Sequence, residues 1–189
     1  MHSIWKTSIR FTLVTAILLG LGYPLFVTGL AALIFPHQAA GSLIKLNDGT
    51  VIGSELLAQS FTADKYFHPR PSAAGNGYDA TASGGSNLAQ SSKTLIDRIQ
   101  GSIDKLSKEN PGKPVPIDLV TTSASGLDPD ITPDAAYFQA PRVAKTRGIS
   151  EDRIRQLIEQ HTTSRQFGVL GEPRVNVLDL NLAMDKLPK

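Results

Sequence analysis

The stretch FTLVTAILLGLGYPLFVTGLAALIF, Phe11–Phe35, decides how the rest of the chain is read. It runs for 25 residues without a charge, and 18 of them are apolar. At ~1.5 Å of rise per residue, a helix of that length reaches roughly 37 Å and crosses a ~30 Å hydrocarbon core. One mid-helix charge would cost about 2.5–3.5 kcal/mol on insertion scales, so the uninterrupted run is informative. The apolar core of a cleaved signal is shorter, and Pro36-His37-Gln38-Ala39-Ala40 is a poor cleavage site. A retained anchor is therefore expected over residues 11–35. Before it lie Lys6 and Arg10, whereas the next twenty residues after it offer only Lys45. The positive-inside rule then places residues 1–10 in the cytoplasm and residues 36–189 on the extracytoplasmic side. Within the span, Thr12, Ala16, Gly20, Pro24, Thr28 and Ala32 recur at every fourth position. Small residues at that interval let a second helix backbone approach, so Ala16, Gly20, Pro24 and Thr28 are candidates for helix packing in lipid. Pro24 removes a mid-span hydrogen bond and predicts a kink.

Beyond the span, 154 residues remain, enough for one domain. The chain has 19 basic and 17 acidic residues; with Lys6 and Arg10 set aside, the remainder balances at 17 against 17. That neutrality argues against a nucleic-acid partner. The chain has no cysteine, which excludes disulfides, thiol nucleophiles, zinc ribbons and iron–sulfur centres. GxxxxGK[ST], HExxH, GxSxG and EF-hand patterns are also missing.

The local patterns predict a mixed α+β domain. LIKL and TVIG flank Asn47-Asp48-Gly49 and predict a hairpin over 42–52. Residues 62–86 are too rich in Pro and Gly for any period and read as a long irregular segment. Asn87, with Gln90 three positions on, predicts a helix start that Asn110-Pro111-Gly112 ends. PIDLVTT, 116–122, reads as a strand, followed by a structured turn over 123–129. Thr132-Pro133 opens a helix that Pro141 is expected to interrupt and Gly148 to close. Ser150 caps the next helix, with Ile149 and Ile154 placed as a hydrophobic staple. RVNVLDL, 174–180, alternates as a strand, and the tail is expected to form an amphipathic turn or two.

Candidates for chemistry are few. Ser42–Lys45 and Ser102–Lys105 have the SxxK spacing of serine acyl enzymes, but neither SDN nor KTG accompanies them. A secreted or anchored SxxK-type serine hydrolase is the rival reading that these pairs supply. The four histidines are scattered, so no metal site is expected. Asp128, Asp130 and Asp134 are read as turn and cap residues before they are read as cation ligands. Ser83-Gly84-Gly85-Ser86-Asn87, placed before the expected helix, is the most site-like feature. Free N–H groups at a helix start attract anions such as phosphate, although ordinary caps share this composition.

Six blocks stand in order along the chain: GSELLAQSF (53–61), YFHPRPSA (66–73), SGGSNL (83–88), TSASGLDPDIT (122–132), AAYFQAPRVAKTRG (135–148) and RVNVLDLN (174–181). With the single preceding span, they resemble the C subunits of the Kdp-type potassium-transporting ATPases over essentially the whole chain. The resemblance implies a complex that imports potassium at the expense of ATP. Its partners would be a channel-like potassium-binding subunit, a catalytic P-type ATPase subunit and a small single-span subunit, all in the lipid bilayer. It further implies a non-catalytic accessory chain in the plasma (inner) membrane. This chain would support assembly and act as a catalytic chaperone, raising the ATP affinity of the catalytic subunit. No firmly bound cofactor is implied, and ATP would enter through the catalytic subunit. A likeness of SGGSNL to a transporter signature sequence connects Ser83–Asn87 with nucleotide or with partner contact. Arg70, Ser125, Gly126, Asp128, Gln139 and Arg142 are the candidates for partner docking or loop support. Pro69 and Pro71 stiffen the backbone around Arg70. Its planar fork suits a carboxylate, either internal, such as Asp128, or on a partner.

Overall fold

The computed structural model describes residues 2–187. It divides into two compact units, one ending at Ser54 and the other starting at Glu55. The first unit is dominated by one long helix over Ser3–Ile34, with a mean hydropathy of 2.1 and none of its most apolar stretch buried. Leu19, Phe26 and Leu33 are each about two-thirds exposed or more. An apolar helix exposed on every face suits hydrocarbon as its solvent.

The helix consists of α1 (His2–Thr15), a π-helical stretch (Ala16–Gly22) and α2 (Tyr23–Ile34). Pro24, at the start of α2, has no N–H to donate to Gly20, and the wide stretch lies immediately before it. The predicted disturbance at Pro24 therefore takes the form of a local change in winding. Phe35, at φ −128° and ψ 59°, leaves the α region before Pro36. A four-residue helix, α3 (Pro36–Ala39), leads into the expected hairpin. Strands β1 (Leu43–Lys45) and β2 (Val51–Ser54) pair antiparallel, Leu43 with Ser54 and Ile44 with Gly53. Gly49 turns the chain at φ 84°, and Asp48 accepts the Thr50 N–H at 2.8 Å.

The second unit packs α4 (Lys93–Glu109), α5 (Pro133–Arg147), α6 (Glu151–Gln160) and α7 (Val177–Asp185) with a three-stranded antiparallel sheet. Its strands are β3 (Asp130–Ile131), β4 (Thr162–Thr163) and β5 (Arg174–Asn176), in the order β3-β5-β4. Ile131 pairs with Val175, and Thr162 also pairs with Val175 from the other side. Phe67, Ile131, Val143, Ile154, Ile158, Val175, Leu180 and Met184 share one buried core. Ser150 caps α6 by accepting from Arg153 N–H, and Gly148 closes α5 in the left-handed region at φ 68°. Ile154 is fully buried and Ile149 packs against the same core, as the staple requires.

Four local expectations are corrected. The helix expected from Asn87 starts at Lys93, because Asn87 itself is left-handed at φ 50° and cannot open a helix. Residues 116–122 form a 3₁₀ turn at Ile117–Leu119 instead of a strand. The buried Asp118 carboxylate accepts the Thr132 N–H at 2.7 Å, and that side-chain bond replaces a ladder. Pro141 does not interrupt α5, which runs through it to Arg147. The helix buries Ala135, Ala136, Phe138, Ala140 and Val143, and that burial outweighs the ~3 kcal/mol cost of an interior proline. The strand expected over 174–180 ends at Asn176, whose side chain accepts the Asp179 N–H at 3.1 Å and so caps α7.

Candidate docking surface

The irregular segment 62–86 is organised by side chains that stand in for secondary structure. Two amides grip its start. Asn181 accepts from Phe67 N–H at 2.8 Å and donates to Phe67 O at 3.0 Å. Gln139 does the same for His68, at 2.8 and 3.1 Å. Both amides are buried, so the bonds form away from competing water. Arg142 continues the clasp. It donates to Asp64 O (2.5 Å), Tyr66 O (3.0 Å) and Gln139 Oε1 (2.8 Å) and pairs with Glu109 at 3.2 Å. Burial pulls the Arg142 guanidinium down from its usual range, and the Glu109 carboxylate opposes that shift. Burial also lowers the pKa of His68, and the neighbouring Arg142 charge adds to it, so the imidazole is neutral in the fold at neutral pH.

Further along, the segment is bound to the loop 122–130. Arg70 Nη1 meets Asp128 Oδ2 at 2.8 Å, with both side chains roughly one-quarter to one-third exposed. The pair is internal and single-toothed, since Arg70 Nε is buried without a hydrogen-bond acceptor. Ser72 Oγ donates to Gly126 O at 2.6 Å and accepts from Tyr78 N–H at 2.8 Å. Tyr78 OH returns to Arg70 O at 2.8 Å. Gly84 N–H donates to Ser125 O at 2.8 Å, and Ser83 Oγ reaches the same carbonyl at 3.0 Å. Gly126 is left-handed at φ 67°, and a Cβ there would lie 2.6 Å from Gly84 O and 2.7 Å from Ala74 N. Only glycine lets the two loops approach so closely.

The site residues read from the sequence therefore fall into two sets. Arg70, Ser83, Gly84, Ser125, Gly126 and Asp128 come together in one loop cluster. Gln139 and Arg142 hold the entry to it from α5. Gly85 lies against Ala124, where a Cβ would meet Ala124 O at 3.1 Å. Ser86 and Asn87 follow in the same irregular stretch, six or more residues ahead of α4. Ser83–Asn87 thus lacks the helix N-terminus that would favour phosphate, and Ser83 Oγ and Gly84 N–H bridge two loops instead. Asp128 and Asp130 are paired with Arg70 and Arg174, and Asp134 lies in the first turn of α5. Among the described residues no group of three or more His, Asp or Glu side chains is placed to hold a metal. Ser102 Oγ donates into its own helix, to Arg98 O at 3.0 Å, so the SxxK reading gains no support there.

Some of this was missed in the sequence. Ser72, Tyr78 and Asn181 organise the cluster as much as Arg70 does, although PRPSA, GYDA and DLN mark them only as polar residues in odd places. A cleft of about 760 Å³ opens beside Pro114–Asp118, Tyr137 and Phe138, and none of Ser83–Asn87 lines it. Phe167, Val169 and Leu170 are conspicuously exposed between β4 and β5.

Comparison with known proteins covers nearly the whole chain. A family described as "K+-transporting ATPase, c chain" matches residues 5–186. A protein of Acidobacterium capsulatum named "Potassium-transporting ATPase KdpC subunit" is 57% identical over 183 residues, covering 96% of this chain and 97% of that one. Proteins of the same name from Rhodopseudomonas palustris (strain BisB18) and Koribacter versatilis are 56% and 55% identical, each covering 95% of this chain and 96% and 92% of their own lengths. The apolar N-terminal helix, the α+β domain that follows it in the chain and matches that cover nearly the full length lead to one conclusion: the chain belongs to the family of c chains of K+-transporting ATPases.

Proposed function

We propose that the chain is the accessory, non-catalytic subunit of a high-affinity, ATP-driven potassium importer. The observation that carries this is the full-length similarity to potassium-transporting ATPase subunits, at more than half of all positions identical. In this reading Phe11–Phe35 anchors the chain, residues 1–10 face the cytoplasm and residues 36–189 form the extracytoplasmic part. Its partners are a channel-like potassium-binding subunit, a catalytic P-type ATPase subunit and a small single-span subunit. The clasped loops over 66–86 and 122–130 supply a shaped surface for docking on the channel-like subunit. Ser83–Asn87 belongs to that surface and makes partner contact, not nucleotide contact. The chaperone effect on ATP affinity is then exerted at a distance, through the assembled membrane helices, since the nucleotide is on the other side of the bilayer.

The test is a complex purified in detergent with and without this chain. Potassium-stimulated ATPase activity should fall without it, and the KM for ATP should rise when it is removed or weakened. Complex assembly and an ATP KM that are both indifferent to the chain would overturn the reading.

A further inference from the structure

Between β4 and β5 the chain reverses through Arg165-Gln166-Phe167-Gly168-Val169-Leu170-Gly171-Glu172. Gln166 and Leu170 exchange backbone hydrogen bonds at 2.8 and 2.9 Å, and Val169 N–H donates to Gln166 O at 3.2 Å. The two residues inside that turn, Phe167 and Gly168, are both left-handed, at φ 53° and 76°. Such a turn matches the twist of a hairpin, and its first inner position ordinarily holds Asn, Asp or Gly. A phenylalanine there is strained, and strained residues of this kind gather at functional surfaces. The ring gains nothing inside the fold: Phe167 is 93% exposed, Val169 72% and Leu170 55%. The tip therefore presents three apolar side chains to water on a hydrogen-bonded turn.

We propose that this hairpin tip is a docking finger that inserts into an apolar recess on another subunit of the same transport complex. The inference rests on reading the chain as a subunit of that complex. Two observations favour a protein recess over lipid. The only charges on the finger, Arg165 and Glu172, are paired with each other across its base, so the rim is neutral and offers no free cation to anionic headgroups. Interfacial lipid contacts also favour Trp, Tyr and free Lys or Arg, none of which the finger has. A neutral rim around aromatic and aliphatic anchors in a fixed backbone suits a shaped pocket, where such residues act as hot spots.

The test uses the full chain in the assembled complex. A photoreactive phenylalanine analogue in place of Phe167 should cross-link to another subunit, identified by mass spectrometry. Phe167→Asn accepts the left-handed backbone and removes the ring, so the chain should melt at the same temperature as wild type or higher. Association with the other subunits should weaken by about tenfold or more. Cross-linking only to lipid or to a second copy of the chain would overturn the proposal. So would an assembled wild-type complex with equal recovery of Phe167→Asn. Wild-type chain recovered with no other subunit would remove the complex reading, and the finger with it.

Discussion

Arg70 shows how a single side chain can look like a recognition residue and belong to the scaffold. Its neighbours Pro69 and Pro71 do aim it, but at Asp128 of the same domain. Because the pair is partly exposed and makes one contact, Arg70→Lys should cost only ~1 kcal/mol, seen as a fall of about 3 °C in the melting temperature of the full chain. Unchanged melting together with loss of complex recovery would mean that the guanidinium serves a partner. Gly126 is the sharper position. Gly126→Ala meets both a left-handed backbone and two backbone atoms closer than 3 Å, so it should destabilise by about 2 kcal/mol or more. Thermal unfolding by circular dichroism measures it, and a variant as stable as wild type would show that the loops part without cost. The pairing of Arg70 with Asp128 was among the options open from the sequence, because a guanidinium fork suits a carboxylate. The need for glycine at 126 was not, because it arises from Gly84 and Ala74, more than forty residues away in the chain.

Most elements with local signals followed the sequence, whereas two of the departures trace to a distant side chain or loop. The hairpin at 43–54, the caps Thr132 and Ser150 and the stop at Gly148 depend on neighbours within a few residues. The 3₁₀ turn at 117–119 depends on Thr132, and the conformation of 83–87 on Ser125, neither of which has a periodic trace. In the anchor, the winding itself is informative. Four residues overshoot an α-helical turn, so a stripe at every fourth position drifts around the helix. Over Ala16–Gly22 the i→i+5 bonding puts more than four residues into each turn, and the same four-residue step undershoots. The π stretch thus reverses the drift and keeps Ala16 and Gly20 nearer one face with Pro24. A Cβ at Gly20 meets nothing within 4 Å, so Gly20→Leu is tolerated by the chain itself and is favourable in lipid. Loss of close helix approach, ~1–2 kcal/mol, should reduce recovery of the complex by about tenfold while membrane insertion stays normal. Full recovery would make the stripe a matter of composition alone.

The molecule as a whole is a membrane helix joined to a neutral α+β domain, and its orientation determines what the domain can do. Outside the membrane the domain can meet only the extracytoplasmic faces of its partners, and any effect on ATP must pass through the bilayer. Inside, Ser83–Asn87 and the finger at 166–170 would share a compartment with nucleotide. The charge bias behind the expected topology is narrow: Lys6 and Arg10 against Lys45 near the span. The chain has no cysteine, so one introduced thiol is the only label site. Ser102 is half-buried with its hydroxyl tied to Arg98 O, whereas Ser107, one turn further along α4, is exposed. Ser107→Cys should react with a membrane-impermeant maleimide in intact cells, to the same extent as after permeabilisation. A control cysteine at Ser8, before the span, should react only after permeabilisation. The opposite pattern would place the domain in the cytoplasm and bring direct nucleotide contact at 83–87 back into consideration. In that orientation the loop cluster would dock on the cytoplasmic parts of the pump, and cross-linking from position 167 should then lead to the catalytic subunit.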